Sequence, residues 1–427
     1  MPVDETSADR TSGTSSATSS DSAPGGASAP AAPLMLDLTA EITQLTEQVI
    51  ACESVSGNET RLADAVESAL LGLGGLRVHR DGDTVIARTE TGADQRVVLA
   101  GHLDTVPLPS DPETRGTPGF RGTVPPQWVA ADGADASADD GERPDGDVLY
   151  GRGATDMKGG VAVQLALAAD VADRLRTMTA AQSLACDVTW VFYDHEEVEA
   201  AKSGLGRVLR STPELLEADF AVLLEPTHGA VEGGCNGTCR LRVTVPGVAA
   251  HSGRAWKGRN AIHAAAPVLA ALEAYEPRTV DVDGLAYREG LNAVSITGGI
   301  AGNVIPDACT VEINYRFAPD KTEAQAHDHV REVLRAAGVD EELIEVTDSS
   351  PGARPGLEHP AAEAFLAAVD GEPKPKYGWT DVARFSALGV PAVNFGPGDA
   401  LLAHTDDEHV TAGDLRACLA SMRRWLL

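Results

Sequence analysis

Four short apolar runs, "RVVLAG", "VTWVFY", "FAVLL" and "PAVNF", each stop abruptly at polar or turn residues. Helical stretches such as "GGVAVQLALAADVADRL" lie between them. A run that is apolar at nearly every position suits a strand covered on both faces, and strands alternating with helices require crossover connections. The chain is therefore expected to fold as α/β, with a mostly parallel sheet flanked by helices. Residues 38–71 add helical spacing, in Leu38, Ile42, Leu45 and Val49 and then in Leu62, Val66 and Leu70.

From about residue 238 the texture changes. "CRLRVTV" and "CTVEINYRF" alternate as half-exposed strands do, and "NAIHAAAPVLAALEAY" and "KTEAQAHDHVREVLRAAG" carry helical spacing. With a final "IEVTDSS" strand they predict a compact α+β unit over 238–349, inserted into an α/β domain made of 34–237 and 350–427. Residues 1–33, rich in Ser, Thr, Ala, Gly and Pro, are expected to be a disordered tail. Residues 108–147, rich in Pro, Gly and Asp, are expected to be a surface insertion.

Charge narrows the function classes. The balance of 34 basic against 64 acidic residues, net −30, argues against a nucleic-acid partner and against anionic membrane surfaces. No apolar run approaches the roughly 20 residues that span a bilayer. The start "MPVDETSADR" lacks an apolar signal region. Cys235 and Cys239 lie four apart without a second pair, so the six cysteines read as reduced thiols. A cytoplasmic protein is expected.

Each apolar run ends on a side chain with chemistry. The first ends at His102 and Asp104, which point the same way on an extended strand. The second ends at Asp194, His195, Glu196 and Glu197, and the third at Glu225, stopped by Pro226. The fourth leads through "GPGDALLAH" to His404, and Asp156 sits in the glycine-rich turn "GRGATDMKGG". In an open α/β sheet the carboxyl ends of the strands line one crevice. Singly, Asp156 could cap a helix, Glu225 end a solvated strand, Glu197 sit on the surface and His404 in a loop. Together they would crowd carboxylates with nothing to neutralise them, and a divalent metal centre resolves that conflict. Two histidines and three carboxylates suit zinc better than magnesium or calcium. Five ligands with one bridging carboxylate fit two ions about 3.5–4 Å apart. Asp104 would then orient His102. Of the adjacent Glu196 and Glu197, one could ligate while the other serves as general base, which favours hydrolysis over a silent metal-binding or scaffolding role. No G-x-S-x-G elbow, H-E-x-x-H pair or phosphate loop is present.

"GHLDTVP", "GRGATDMKGG", "YDHEEVE", "LLEPT" and "AHTDDEH" resemble the co-catalytic zinc aminoacylase and carboxypeptidase family, in its order and from about residue 38 onward. The resemblance implies two zinc ions per subunit, with cobalt able to substitute. His102, Asp156 and Glu225 would hold one, and Asp156 would bridge to a second held by Glu197 and His404. It makes Glu196 the general base. His409 is the near neighbour that the motif position passes over. It also implies a ferredoxin-like lid that forms a homodimer, with His251 reaching the partner's active site to stabilise an oxyanion. Arg316, Arg384, Asn303 and Thr380 match positions that bind substrate. "SGLGR", "GWTDVARFSALGVPAVNFGPG" and "GLNAVSITGGIAGNVIPD" look most like the actinobacterial members that hydrolyse N-succinyl-LL-2,6-diaminopimelate. Acetylornithine deacetylation or carboxypeptidase action is the alternative, with aminopeptidase action further off. Read by charge, Arg254, Lys257 and Arg259 form a basic island beside His251. Two features depart from the family pattern: His195 before the paired glutamates, and the length of 108–147.

Overall fold

The computed structural model describes residues 34–108, 125–133, 143–178 and 184–427. The tail 1–33 and most of the insertion 108–147 fall outside them. An eight-stranded sheet organises the molecule, in the order 77–81, 84–88, 187–193, 96–102, 220–223, 392–394, 232–233, 374–375. The strands 187–193, 96–102, 220–223 and 392–394 run parallel, and the antiparallel pairings lie towards the two ends. These central strands are the four apolar runs.

Alternation explains why the runs are apolar throughout. Val97, Leu99, Trp190, Phe192 and Val222 face the helices Ile42–Ile50, Thr60–Leu73, Gly159–Thr177 and Ala412–Leu426. Val98, Ala100, Val191, Tyr193 and Leu223 face Gly204–Ser211 and Val382–Ala387 on the other side. Both faces of each strand are dry, so neither tolerates a polar side chain except where it is bonded. Asp187 is such an exception: its carboxylate accepts from the Thr89 hydroxyl at 2.6 Å and the Thr91 amide at 2.9 Å. Glycine is required at position 160, where a Cβ would come within 2.2 Å of the Leu224 carbonyl. That close approach seats the helix after Asp156 against the strand end that carries Glu225.

Part of the insertion is built into the fold. Gln127–Val129 pairs antiparallel with Val148–Tyr150, which pairs in turn with His409–Thr411. Buried Trp128 anchors it, donating from its indole to Glu47 at 3.0 Å.

Residues 237–350 form a separate four-stranded antiparallel sheet, ordered 290–298, 308–317, 237–246, 344–350. Helices Ala261–Ala264, Ala266–Glu273 and Glu323–Ala336 cover one face through Leu241, Val243, Val311, Ile313 and Tyr315. No helix among the described residues covers the other face, which carries Thr238, Arg240, Arg242, Asn314 and Arg316. All six cysteines are buried and free, Cys235 and Cys239 included. No helix among the described residues is long and apolar enough to cross a membrane.

Candidate metal centre

The parallel strands deliver their terminal side chains to one place. Leu103 donates to the Tyr193 carbonyl at 2.7 Å and Leu224 to the Ala100 carbonyl at 3.0 Å, extending the ladder to the ends that carry His102, Glu196 and Glu225. His102 is buried, with Nδ1 2.9 Å from the Asp104 carbonyl and Nε2 3.1 Å from Asp156 Oδ1. A proton on Nδ1 leaves the Nε2 lone pair facing the site.

Three overlapping groups have ligand atoms all within 4.8 Å of one another: His102, Asp156 and Glu225; Asp156, Glu197 and His404; His102, Glu196 and Glu197. Asp156 belongs to the first two, one oxygen towards His102 and the other 3.4 Å from His404 Nε2. His404 lies 3.0 Å from Glu197 Oε1. The five ligands expected from the sequence are thus brought together around a shared aspartate. His195 turns away, its Nδ1 2.8 Å from Asp194 Oδ2. His409 turns away too, bonding the Asp407 carbonyl and stacking on Tyr150.

The electrostatics fit a site built to hold a cation. Glu225 is buried, and its Oε1 has no hydrogen-bond partner among the described residues. Burial, then the charge of Asp156, pushes its carboxyl up to about 8. Burial also pushes Glu196 well above the ordinary carboxylate range, with Glu225, Asp381 and Glu197 adding repulsion and His102 opposing. Burial opposes ionisation of Asp156 as well, yet hydrogen bonds from His102 and His404 hold its carboxyl well below that range. His404 is raised to about 10 by its bonds to Asp156 and Glu197. An orphaned buried oxygen and an N/O donor set suit a divalent metal ion there.

Asp104 does more than the sequence suggested. Its carboxylate lies 3.5 Å from the His102 ring, while its two oxygens accept from the Glu196 and Glu197 amides at 3.0 Å each and from the Ser56 hydroxyl at 2.6 Å. It fixes the backbone that aims both glutamates. Burial works against its charge, but His102, Ser56 and these bonds hold it at about 2.

Glu408 was not anticipated. Buried beneath the glycine-rich turn, it accepts from Arg152 at 2.9 Å, the Thr155 amide at 3.2 Å and the Asp156 amide at 3.0 Å. Burial pushes its carboxyl up, and the Asp156 and Gly153 amides work against that rise. Its only sequence signal is an acid four residues after His404.

Two cavities open on the centre. One of about 730 Å³ is lined by Asp156, Glu225, Lys376, Thr380 and His404. The other, of about 1220 Å³, runs from Glu196, Glu197 and His404 to the uncovered face of the four-stranded sheet, where Arg316 stands, with Arg384 also on its wall. Thr380 is buried and donates to Asn394 at 2.9 Å. Arg384 is bound by Asp381 and packs 5.5 Å from the Trp379 ring. His251 and Asn303 line neither cavity. Both are exposed, His251 at the end of the short strand Ala250–His251 and Asn303 just before its partner strand Val304–Ile305, where the Ser252 amide donates to the Asn303 carbonyl at 2.8 Å. Arg254, Lys257 and Arg259 are exposed on the segment that follows His251 and line neither cavity.

The chain is similar to known proteins over most of its length. A family model described as a peptidase dimerisation domain matches residues 234–342. A provisionally named succinyl-diaminopimelate desuccinylase of Mycobacterium tuberculosis is 47% identical over 393 residues, covering 92% of this chain and 99% of that protein. The succinyl-diaminopimelate desuccinylase of Corynebacterium glutamicum is 40% identical over 394 residues, covering 92% and 97%. The crystal structure of an M20 family metallo-carboxypeptidase from Sulfolobus solfataricus shares the fold, with a TM-score of 0.69 at 16% identity, covering 90% of this chain and 98% of that one.

Proposed function

The chain belongs to the succinyl-diaminopimelate desuccinylase family of metal-dependent hydrolases, and we propose that it cleaves N-succinyl-LL-2,6-diaminopimelate to succinate and LL-2,6-diaminopimelate. The observation that carries this reading is Glu196. It sits against His102 and Glu197, its amide pinned by Asp104, as a carboxyl group beyond the two imidazoles and three carboxylates that suffice for two ions.

His102, Asp156 and Glu225 would hold one zinc, and Asp156, Glu197 and His404 the other; cobalt offers a similar fit to the same donors. The chemistry such ions supply is polarisation of the amide carbonyl and a lowered pKa for water. Glu196 takes a proton from the attacking water as its oxygen bonds to the succinyl carbon, then returns it to the departing amine nitrogen as the C–N bond breaks. Asp104 keeps Glu196 and Glu197 in register during that exchange. Substrate carboxylates would be gripped by Arg316, Arg384 and Thr380, a reading supported by Arg316 and Arg384 lining the larger cavity and Thr380 the smaller.

The subunit is proposed to work as a homodimer built through the 238–349 unit, inserted between 34–237 and 350–427. Edge strand Gly290–Gly298 exposes Val294 and Ile296, and Ile262 is exposed on the adjoining helix. Dimerisation would explain why His251 and Asn303 lie outside their own protomer's cavities: they would serve the partner's site, His251 stabilising the oxyanion. Six free, buried thiols support a cytoplasmic setting.

The test is a paired assay on one zinc-loaded preparation of measured metal content. N-succinyl-LL-2,6-diaminopimelate should be hydrolysed with a kcat/KM at least about tenfold above that for N-acetylornithine. Equal or faster turnover of acetylornithine would overturn the substrate assignment.

A further inference from the structure

Four arginines line the larger cavity, and their circumstances differ. Arg384 is bound by Asp381, and Arg242 donates to Glu312 at 2.6 Å. The guanidinium groups of Arg240 and Arg316 have no hydrogen-bond or ion-pair partner among the described residues, although both backbones are paired in the sheet. They share the uncovered face of the sheet: Arg240 stands opposite Asn314 and Arg316 opposite Thr238, which makes the two arginines diagonal neighbours across adjacent strands. Asp348, opposite Arg240 on the next strand, forms no ion pair with it.

The chain holds 64 acidic residues against 34 basic ones, yet these two cations stand side by side without a carboxylate partner and repel each other. Arg316 is half-buried, and burial, then the neighbouring charge of Arg240, disfavours its ionised form, with the charge of Asp348 opposing. An external anion relieves both penalties. One arginine binds one carboxylate through two parallel bonds, so a pair suits a ligand with more than one carboxylate.

We propose that Arg240 is a specificity-determining residue, binding a second substrate carboxylate beside the one held by Arg316. This rests on the substrate assignment above and deepens it. N-succinyl-LL-2,6-diaminopimelate carries three carboxylates and acetylornithine one, so a cation that Arg316 and Arg384 do not duplicate separates the two substrates by charge count.

The experiment compares the wild-type holoenzyme with Arg240→Gln on three compounds. These are the full substrate, Nα-acetyl-LL-diaminopimelate, which lacks the succinyl carboxylate, and Nα-succinyl-L-lysine, which lacks the far one. Loss of charge-assisted bonds should lower kcat/KM on the full substrate about 10- to 100-fold, chiefly through KM. On at least one truncated compound, variant and wild type should agree within about twofold, and that compound identifies the carboxylate that Arg240 holds. Arg240→Lys should lie between them, because it keeps the charge and loses the planar fork. Arg242→Gln, whose guanidinium is already paired, should match wild type on all three. Arg240 is exposed, so melting temperatures should stay together. Undiminished activity of Arg240→Gln on the full substrate, or an equal loss on all three compounds, overturns the inference while leaving the substrate assignment intact. A wild type inactive on the full substrate overturns both.

Discussion

Replacing Glu408 by glutamine should loosen the metal centre without touching a ligand. Glu408 and Arg152 are both buried, at 1% and 3% exposure, and the carboxylate holds three donors at once. Glutamine offers one acceptor oxygen and sets its amide N–H₂ against either the Arg152 guanidinium or the Thr155 and Asp156 amides. Arg152 would keep its bond to the Thr405 carbonyl at 3.0 Å but lose its counter-charge. Leaving one member of a buried ion pair uncompensated costs about 3–5 kcal/mol. At roughly 2.1 cal/mol/K per residue over a unit of roughly 400 residues, that is a fall of about 4–6 °C in Tm. The turn it holds carries Asp156, which serves both halves of the centre, so divalent-metal affinity should fall about 10- to 100-fold, the usual effect of losing a group that orients a ligand. Calorimetric melting of the metal-free protein reads the first effect, and a chelator-competition titration with zinc reads the second. A variant that melts with wild type and binds zinc equally would show that Glu408 merely fills space beneath the turn, and the reasoning would fail.

Glu196→Gln should retain wild-type metal content and lower kcat on the succinylated substrate by about 10²–10⁴-fold, the range for loss of a general acid–base group; metal analysis beside turnover checks it, and a kcat within a few-fold of wild type would remove Glu196 from the proton path. In the smaller sheet, Glu289 is buried against Arg278 at 3.0 Å, the Tyr315 hydroxyl at 3.0 Å, the Ala318 amide at 3.1 Å and Lys321. Burial resists its charge, yet Arg278, Lys321 and the Ala318 amide hold its carboxyl down at about 2, below the ordinary 4.5. A depressed folded-state value means its stabilisation is present above about pH 4.5 and lost as pH falls towards 2. Glu289→Gln should therefore be about 3–5 kcal/mol less stable at neutral pH, with the gap to wild type closing in acid; urea melts across pH 7 to 3 test this, and a pH-independent gap would contradict it.

The sequence determined the architecture and the identity of the metal-ligand candidates. Apolar runs of strand length, separated by helical periods, admit little but a parallel sheet buried on both faces, and a parallel sheet gathers its carboxyl ends at one edge. His102, Glu196, Glu197 and Glu225 are legible for that reason: each ends a recognisable strand or stands within four residues past one. Partner choice was not legible, because it depends on contacts between distant segments. Asp104 lies beside His102 in the chain and reads as its orienting group, yet its oxygens are occupied by amides 92 and 93 residues away. Glu408 meets the Asp156 amide across 252 residues of sequence, with no local pattern to announce it. The arginines make the same point. Arg240 and Arg242 are alike in the sequence, two apart on one strand, and only the packing of neighbouring strands gave Glu312 to one and left the other free. Periodicity fixes which way a side chain points, whereas what it meets there is set by chain folded back from elsewhere.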